Sequence, residues 1–416
     1  MPLTPDQVQL IKATVPILRQ YGQEITTRFY KDLLADHPAL HDIFNQANQA
    51  NGHQASALAN SLYAYASHIN DLGVLAPAVE RISQKHSSLH VQPEQYDIVG
   101  TYLLKAMKDV LGDALTEDIH TAWAVAYRQL ADIMIGREKQ LHQEKGDWTS
   151  WRDFIITNKV IESDEITSFY LKPNDGKPLP KYHPGQYVSI RTSVPALKHL
   201  QPRQYSLSDA PNPSNYRISV KRELGLNLNL NHPSAPAHPG YVSNVLHDSK
   251  QVGDTLQVSH PAGDFFLDPS RGDRNPIVLI SAGVGLTPML SIMRTLDKAD
   301  SHQPICWIHG TRSSRVHAFS NEIKEIAKQH PNVRTKVFMS HPAEEDALGR
   351  DYQYASRMTL GVLNKDEDLF LHKSDAEYYI CGPGGFMHDM QGTLSGYGVE
   401  EARIKMEVFG TGAIRA

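Results

Sequence analysis

The sequence predicts a multidomain chain: an all-helical first third, a middle unit of short strands, and a last unit in which strands and helices alternate. Three observations lead there. The first is where proline and glycine fall: residues 1–150 hold 6 of the 25 prolines and 7 of the 27 glycines, and the remaining 266 residues hold 19 and 20. Helix interiors exclude both residues, while turns between strands use them freely. The second is a change of apolar period at Trp151, and the third is an alternating α/β pattern beyond about residue 270. A length of 416 residues suits two to four domains.

In chain order, Thr4-Pro5-Asp6-Gln7 reads as a helix start, with a hydroxyl cap, proline at the first helical position and glutamine at the third. Val8, Ile11, Val15 and Leu18 follow at helical spacing. Later stripes are Ile25/Phe29/Leu33, Leu58/Leu62/Tyr65/Ile69, Val79/Ile82/His86, Val99/Leu103/Met107/Val110 and Ile119/Trp123/Tyr127/Leu130/Met134, with Pro38, Pro77 and Pro93 as breaks. From Trp151, the runs 153–160, 167–171, 187–191, 216–220 and 255–258 read as strands between turn residues. Strand 277–280, a helix near 289–296, strand 305–308, helix 320–329 and strands 334–338 and 378–381 complete the pattern. The joints are expected near 146–148 and 268–276, and Leu224–His238 reads as a long Asn/Pro/Ala-rich loop.

Composition excludes several classes. A formal charge of −5 offers no basic stripe for a phosphate backbone, so nucleic acid is not an expected partner. Two cysteines, Cys306 and Cys381, cannot build a disulfide framework or a four-cysteine metal site. No run of about 20 apolar residues spans a bilayer and the N-terminus has no leader character, so a cytoplasmic location without integral membrane association is expected.

In the helical third, His86 shares a stripe with Val79 and Ile82 and should point into the core, either as a hydrogen-bonded packing residue or as a metal ligand. Glu138 extends the Leu130/Met134 stripe, where a carboxylate is costly to bury without a partner unless the helix end reaches water. Tyr96 begins the Val99/Leu103 stripe with a hydroxyl that needs a partner if buried. On inward faces the three can satisfy one another. They belong to a wider pattern: Phe29-Tyr30, Asp42-Ile43-Phe44-Asn45, Gln54 with Leu58, and Lys85-His86-x-x-Leu89-x-Val91-x-Pro93-x-x-Tyr96. This pattern resembles a bacterial or yeast-type globin over residues 1–145. The resemblance implies that His86 is the proximal ligand of haem b and that Tyr96 and Glu138 polarise it. It also implies that Tyr30, Gln54 and Leu58 lie over the iron, with Phe44 against the porphyrin. Lys85 is expected either to orient a haem propionate or to be a solvated lysine. For His90, an exposed turn histidine is expected rather than half of a two-histidine metal pair with His86.

Downstream, Arg203-Gln204-Tyr205-Ser206-Leu207-Ser208 follows Pro184-Gly185-Gln186-Tyr187 and precedes Gly240-Tyr241-Val242-Ser243-Asn244. The order resembles the flavin-binding antiparallel β-barrel of ferredoxin reductase-like proteins. By that resemblance Tyr187, Arg203, Gln204, Tyr205, Ser206 and Leu207 bind FAD, Arg203 at the pyrophosphate and Ser206 near the reactive flavin nitrogen. Gly240, Tyr241, Val242 and Ser243 would meet phosphate at a helix start. Gly283-Val284-Gly285-Leu286-Thr287-Pro288 directly follows an apolar strand, as in a tight strand–helix turn or a dinucleotide cradle. With Cys381-Gly382-Pro383-Gly384 and Glu407-Val408-Phe409-Gly410, the resemblance makes Gly283, Gly285, Thr287, Pro288, Cys381, Gly382 and Pro383 a nicotinamide-nucleotide site. Glu407 and Phe409 would then lie at the flavin, Phe409 covering its face. Three departures stand out: Ala282 for a common glycine, Thr411 for a common proline, and the long loop Leu224–His238.

The whole chain thus resembles a flavohaemoglobin, with an all-α globin at 1–147, an antiparallel β-barrel FAD domain at 148–270 and an α/β parallel-sheet NAD(P)-binding domain at 271–416. The implied activity is nitric oxide dioxygenation, in which NADH (or NADPH) supplies electrons through FAD to haem, and NO and O2 become nitrate. The alternatives are dioxygen or lipid binding with a reductase that keeps iron ferrous, and a general flavin reductase. A monomer is expected. Arg312-Ser313-Ser314-Arg315 is expected at the surface, or else at a 2′-phosphate.

Overall fold

A computed structural model describes residues 2–45, 49, 52–146, 148–195, 197–223, 240–268 and 275–410. The loop Leu224–His238 and Thr411 lie outside the described residues. Helices come first: α1 (Pro5–Ala13), α2 (Val15–Asp36), α3 (His53–Ser67), α4 (Ala76–Ser88), α5 (Pro93–Leu111) and α6 (Glu117–Glu144). The expected start of α1 is a capping box, in which Thr4 Oγ1 accepts from the Gln7 amide at 3.2 Å and Gln7 Oε1 from the Thr4 amide at 3.0 Å. Pro77 and Pro93 stand in the first turns of α4 and α5, where a missing N–H costs nothing. The inward stripes meet in one core containing Ile25, Phe29, Leu33, Leu62, Leu103, Met107 and Trp123.

The middle unit is an antiparallel sheet of β1 (Arg152–Ile161), β2 (Ile166–Pro173), β3 (Tyr187–Thr192), β4 (Gln201–Ser206), β5 (Tyr216–Lys221) and β6 (Thr255–Val258). Their order is β4-β3-β6-β1-β2-β5. A bridge between Leu207 and Ile218 brings the two edges together at one end, so the sheet curls back on itself around Phe154, Phe169, Tyr216 and Val258. Helix α7 (Tyr241–Asn244) follows β5. Strand β4 is not visible from periodicity, because its middle residues Arg203, Gln204 and Tyr205 are polar and only half-buried.

The last unit is a parallel sheet in the order β11-β10-β7-β8-β9. It comprises β7 (Ile277–Ala282), α8 (Leu286–Lys298), β8 (Ile305–Thr311), α9 (Ser320–Gln329), β9 (Val333–Met339), β10 (Glu377–Cys381), α10 (Gly384–Gly396) and β11 (Ile404–Glu407). Strand order reverses between β7 and β10, and open α/β sheets bind nucleotides at the carboxyl ends of strands at such a reversal. Ala282 has extended backbone (φ −135°, ψ 136°), so its methyl is accommodated there. Arg312 pairs with Glu165, and Arg315 lies 3.0 Å from Glu345, so both arginines are engaged at the surface. Among the described residues, no helix is long and apolar enough to cross a membrane.

This unit also carries an acid-sensitive element. His317 is buried, stacks on His309 at 4.8 Å, and is lowered from 6.5 to about 4, by burial first and then by Lys324. His317 is therefore neutral when folded, and the unfolded chain binds more protons between the two values. Stability contributed here is present above about pH 6.5 and falls as pH drops toward 4. By pH 5 the loss is about 2 kcal/mol. Hydrogen exchange of the β8 amides at pH 7 and pH 5 should show it, and His317→Asn should shrink the difference between the two pH values. An equal difference in the variant would exclude His317 as the cause.

Candidate functional site

One side of the candidate site is built by α4, α5 and α6. His86 Nδ1 lies 2.8 Å from Tyr96 Oη and 3.1 Å from Glu138 Oε1, and Tyr96 Oη donates to Glu138 Oε1 at 2.5 Å. The tautomer follows from counting protons. Tyr96 has one hydroxyl proton, which goes to the carboxylate, so Nδ1 must carry its own hydrogen and donate. In the neutral imidazole, Nε2 is then the nitrogen that carries the lone pair. Glu138 is 4% exposed, so it does not reach water at the helix end, and its burial is offset by the Tyr96 and His86 donors. Burial and the adjacent carboxylate both raise the Tyr96 phenol, which keeps it protonated and donating.

Across from this triad, Tyr30 is hydrogen-bonded to Gln54, and burial raises its phenol well above the ordinary value. Gln54 Oε1 also accepts from Gln49 Nε2 at 3.0 Å. Phe44 meets the Tyr30 ring edge-on at 5.5 Å, and Leu58 packs on the same core. The structure therefore brings the expected distal residues together.

The end of α4 is also the docking element for the rest of the chain, which the sequence does not reveal. Gln84 Oε1 accepts from the Gly263 amide at 2.9 Å, Ser88 Oγ bonds Ser189 Oγ at 2.9 Å, and Ser87 Oγ lies 3.0 Å from His260 Nε2. Lys85 Nζ donates to the Gly410 carbonyl at 3.1 Å, and burial lowers its pKa, so it is not the solvated lysine of the bland expectation. Residues 84, 85, 87 and 88 thus face the strand-rich units while His86 faces the globin interior. Polar serines and a glutamine in a helix ordinarily signal a wet surface, which is why this face is missed.

His90 departs from expectation. It is not an exposed turn histidine but 6% exposed, and it ends α4 with φ 56°. The bonds Val91 N to His86 O and His90 N to Ser87 O, both 3.1 Å, form a Schellman cap with His90 where glycine is usual. Among the described residues, neither ring nitrogen of His90 has a hydrogen-bond partner.

On the reductase side, β4 and β3 present their residues to a cavity of about 500 Å³. Tyr187, Arg203, Gln204, Ser206, Glu407 and Phe409 line it from one side, and Ser61, Ala64, Val79, Ile82 and Lys85 from the other. One cavity therefore joins the helical unit to both strand units. Ser206 Oγ is buried with no partner, and Arg203 has no carboxylate partner among the described residues. Tyr205 and Leu207 pack into the barrel core. Gln204 Nε2 donates to Ser189 Oγ at 3.1 Å. A Cβ on Gly263 (φ 114°) would fall 3.0 Å from the Tyr187 ring, so glycine keeps that ring flush with the wall. The Glu407 carboxyl, desolvated and facing Asp264, is pushed up to about 8. Phe409 is 44% exposed at the cavity mouth.

The Ser243 hydroxyl donates to Gly240 O at 3.0 Å and accepts from the Glu223 amide at 3.2 Å, which ties the start of α7 to the residues after β5. At the parallel sheet, Gly283 has φ 55°, and a Cβ on Gly285 would sit 2.2 Å from the Cys381 carbonyl oxygen. The turn after β7 therefore lies directly on the turn after β10. Thr287 Oγ1 donates to Val284 O at 3.0 Å to tighten it, with Pro288 buried behind. Gly382 and Pro383 lead from β10 into α10. Burial raises the Cys381 thiol strongly, so it is a neutral wall residue rather than a nucleophile.

Comparison with known proteins agrees with this construction. Residues 27–134 match the Globin family and residues 279–392 the Oxidoreductase NAD-binding domain family. A solved flavohemoglobin from Malassezia yamatoensis, with bound FAD and heme, superposes with a TM-score of 0.85 at 28% identity, covering 98% of this chain and 100% of that one. The FAD/NAD binding domain of nitric oxide dioxygenase from Vibrio cholerae superposes with a TM-score of 0.52 at 37% identity, covering 62% of this chain and 98% of that one. These matches define a globin joined to an NAD(P)H-dependent oxidoreductase. Flavohemoproteins of Bordetella parapertussis (47% identical, 99% of this chain and 100% of that protein) and Rhizobium meliloti (45%, 98% and 98%) align from end to end. The chain belongs to the flavohemoprotein family.

Proposed function

We propose that this chain is a nitric oxide dioxygenase that holds haem b on His86 and FAD against Arg203–Ser206, with NADH or NADPH as electron source. The observation that carries the reading is the His86–Tyr96–Glu138 triad, whose helices α4 and α6 also supply Val79, Ile82, Lys85, Leu130 and Met134 to the lining of the cavity shared with the reductase. When bound, haem supplies an iron that takes diatomic ligands, and FAD supplies the conversion from two-electron to one-electron transfer. The residues fit these groups. His86 turns Nδ1 to Tyr96 and Glu138, which leaves Nε2 to ligate iron, and the buried Ser206 hydroxyl, without a partner among the described residues, can bond the flavin.

The chain's own residues then divide the work. Glu138 and Tyr96 hold the His86 ring and raise its basicity, which favours ligand activation over storage. Tyr30 donates a hydrogen bond to a diatomic ligand in the distal pocket, Gln54 orients that hydroxyl, Leu58 limits the pocket to small ligands and Phe44 packs against the porphyrin. Lys85, tied to Gly410, holds the α4 end against the tail that carries Glu407 and Phe409. Phe409 at the cavity mouth is placed to yield to nicotinamide, and the turns at Gly283–Gly285 and Cys381–Pro383 receive the nucleotide. Storage is the weaker reading, because a storage protein has little use for a cavity shared with a reductase. The domains are proposed at 1–147, 148–270 and 271–416.

Tyr30→Phe tests the distal assignment. Loss of one buried hydrogen bond of about 1–1.5 kcal/mol should speed dioxygen dissociation about tenfold and lower NO turnover, with haem content unchanged. Unchanged dissociation and turnover would remove Tyr30 from the mechanism. Ser206→Ala should retain FAD but slow its reduction by NADH in stopped flow; full-rate bleaching would show that the hydroxyl has no part in it.

A further inference from the structure

The geometry points to a second metal site, unrelated to haem: a three-histidine site for a zinc-like divalent cation, formed by His90, His142 and His260 at the junction of the globin and reductase units. One ring nitrogen from each residue lies within 4.8 Å of the others. The rings cluster: His90 stacks on His142 with centroids 6.0 Å apart, and His260 meets both edge-on, at 5.6 Å from His90 and 5.3 Å from His142. Three neutral imidazoles are a donor set that suits zinc or copper(II), with a fourth position left for water.

The environment of His90 supports a ligand here. His90 is 6% exposed and leaves both ring nitrogens unpartnered, in a cap position where glycine would ordinarily serve. A bulky polar side chain held there without a hydrogen bond needs an occupant to satisfy it. His260 Nδ1 lies 2.9 Å from Pro261 O, and its Nε2 lies 3.0 Å from Ser87 Oγ and 3.2 Å from Ser87 O, so a cation on Nε2 would take the place of the Ser87 contact.

The half-buried His142 gives an entry path. Trp148 and Trp151 wall the cluster. Arg191 and Lys145 are the nearby positive charges, so the affinity should fall below that of a closed thiolate site. His90 follows α4, His142 lies on α6 and His260 follows β6, so a bound cation would clamp the proximal helix to the FAD unit.

The test is zinc loading of the haem- and FAD-replete protein, followed by desalting, metal analysis and zinc-edge X-ray absorption. One zinc retained per chain, with three imidazole nitrogens at about 2.0 Å, is expected. His260→Gln and His142→Gln should each lower retention at least tenfold while haem and FAD content stay at the wild-type level. If His260→Gln fails to fold, the absorption spectrum of the wild type and the partly exposed His142→Gln decide the matter. No retained zinc, fewer than three imidazole ligands, or equal retention by His142→Gln would each overturn the proposal.

Discussion

Glu138→Gln should lower NO turnover by roughly 10–100-fold while haem content stays near normal. The substitution keeps the shape and leaves an acceptor for Tyr96 Oη, now 2.5 Å from Glu138 Oε1, but removes the negative charge facing His86 Nδ1 at 3.1 Å. The imidazole then loses anionic character while still able to ligate. Two readouts separate this from general damage. Resonance Raman of the ferrous protein should show a weaker iron–histidine stretch, and NADH should reduce FAD at the wild-type rate. An unchanged stretch together with unchanged turnover would mean that the triad is structural only. Tyr96→Phe should give a smaller loss, because the carboxylate remains.

Gly285→Ala should slow reduction of FAD at limiting NADH tenfold or more and spare the globin. The added Cβ would lie 2.2 Å from Cys381 O and 2.8 Å from the Gly382 amide nitrogen, both backbone atoms with nowhere to rotate. To fit it, the turn after β7 must part from the turn after β10, at the reversal of strand order where the nucleotide is proposed to bind. Overpacking of this kind costs roughly 1–3 kcal/mol or more. The expected result is a rise in the KM for NADH of tenfold or more, with ligand binding by chemically reduced haem unaltered. Normal NADH kinetics would mean that the two turns are not in contact in the working protein. Gly283→Ala tests the same turn differently, since φ 55° rather than space is what a side chain would resist there.

These two positions show what the sequence reveals and what it conceals. Gly285 is legible because a glycine-rich turn after an apolar strand has few uses, although its neighbour, Cys381, is about a hundred residues away and only the sheet order makes them touch. The triad is legible in part: helical spacing puts His86, Tyr96 and Glu138 on inward faces, but whether Glu138 reaches water depends on how α6 packs, which spacing does not encode. The face of α4 formed by Gln84, Ser87 and Ser88 reads as solvated because small polar residues serve equally at a wet surface and at a hydrogen-bonded interface. His90 misleads for a related reason. A histidine before Val91-Gln92-Pro93 at a helix end has every local mark of an exposed turn, and only a distant strand unit, through His260, buries it. Strand β4 is hidden because Arg203, Gln204 and Ser206 line a cavity, and residues that line a cavity do not alternate as core and surface do.

The most direct test of the account is NO consumption by purified, haem- and FAD-replete protein in aerated buffer, with and without NADH or NADPH. The account predicts rapid loss of NO that requires a pyridine nucleotide, stops when oxygen is removed, and yields nitrate. It would be contradicted by a protein whose flavin bleaches with NADH and whose haem spectrum is intact, yet which consumes NO no faster than buffer.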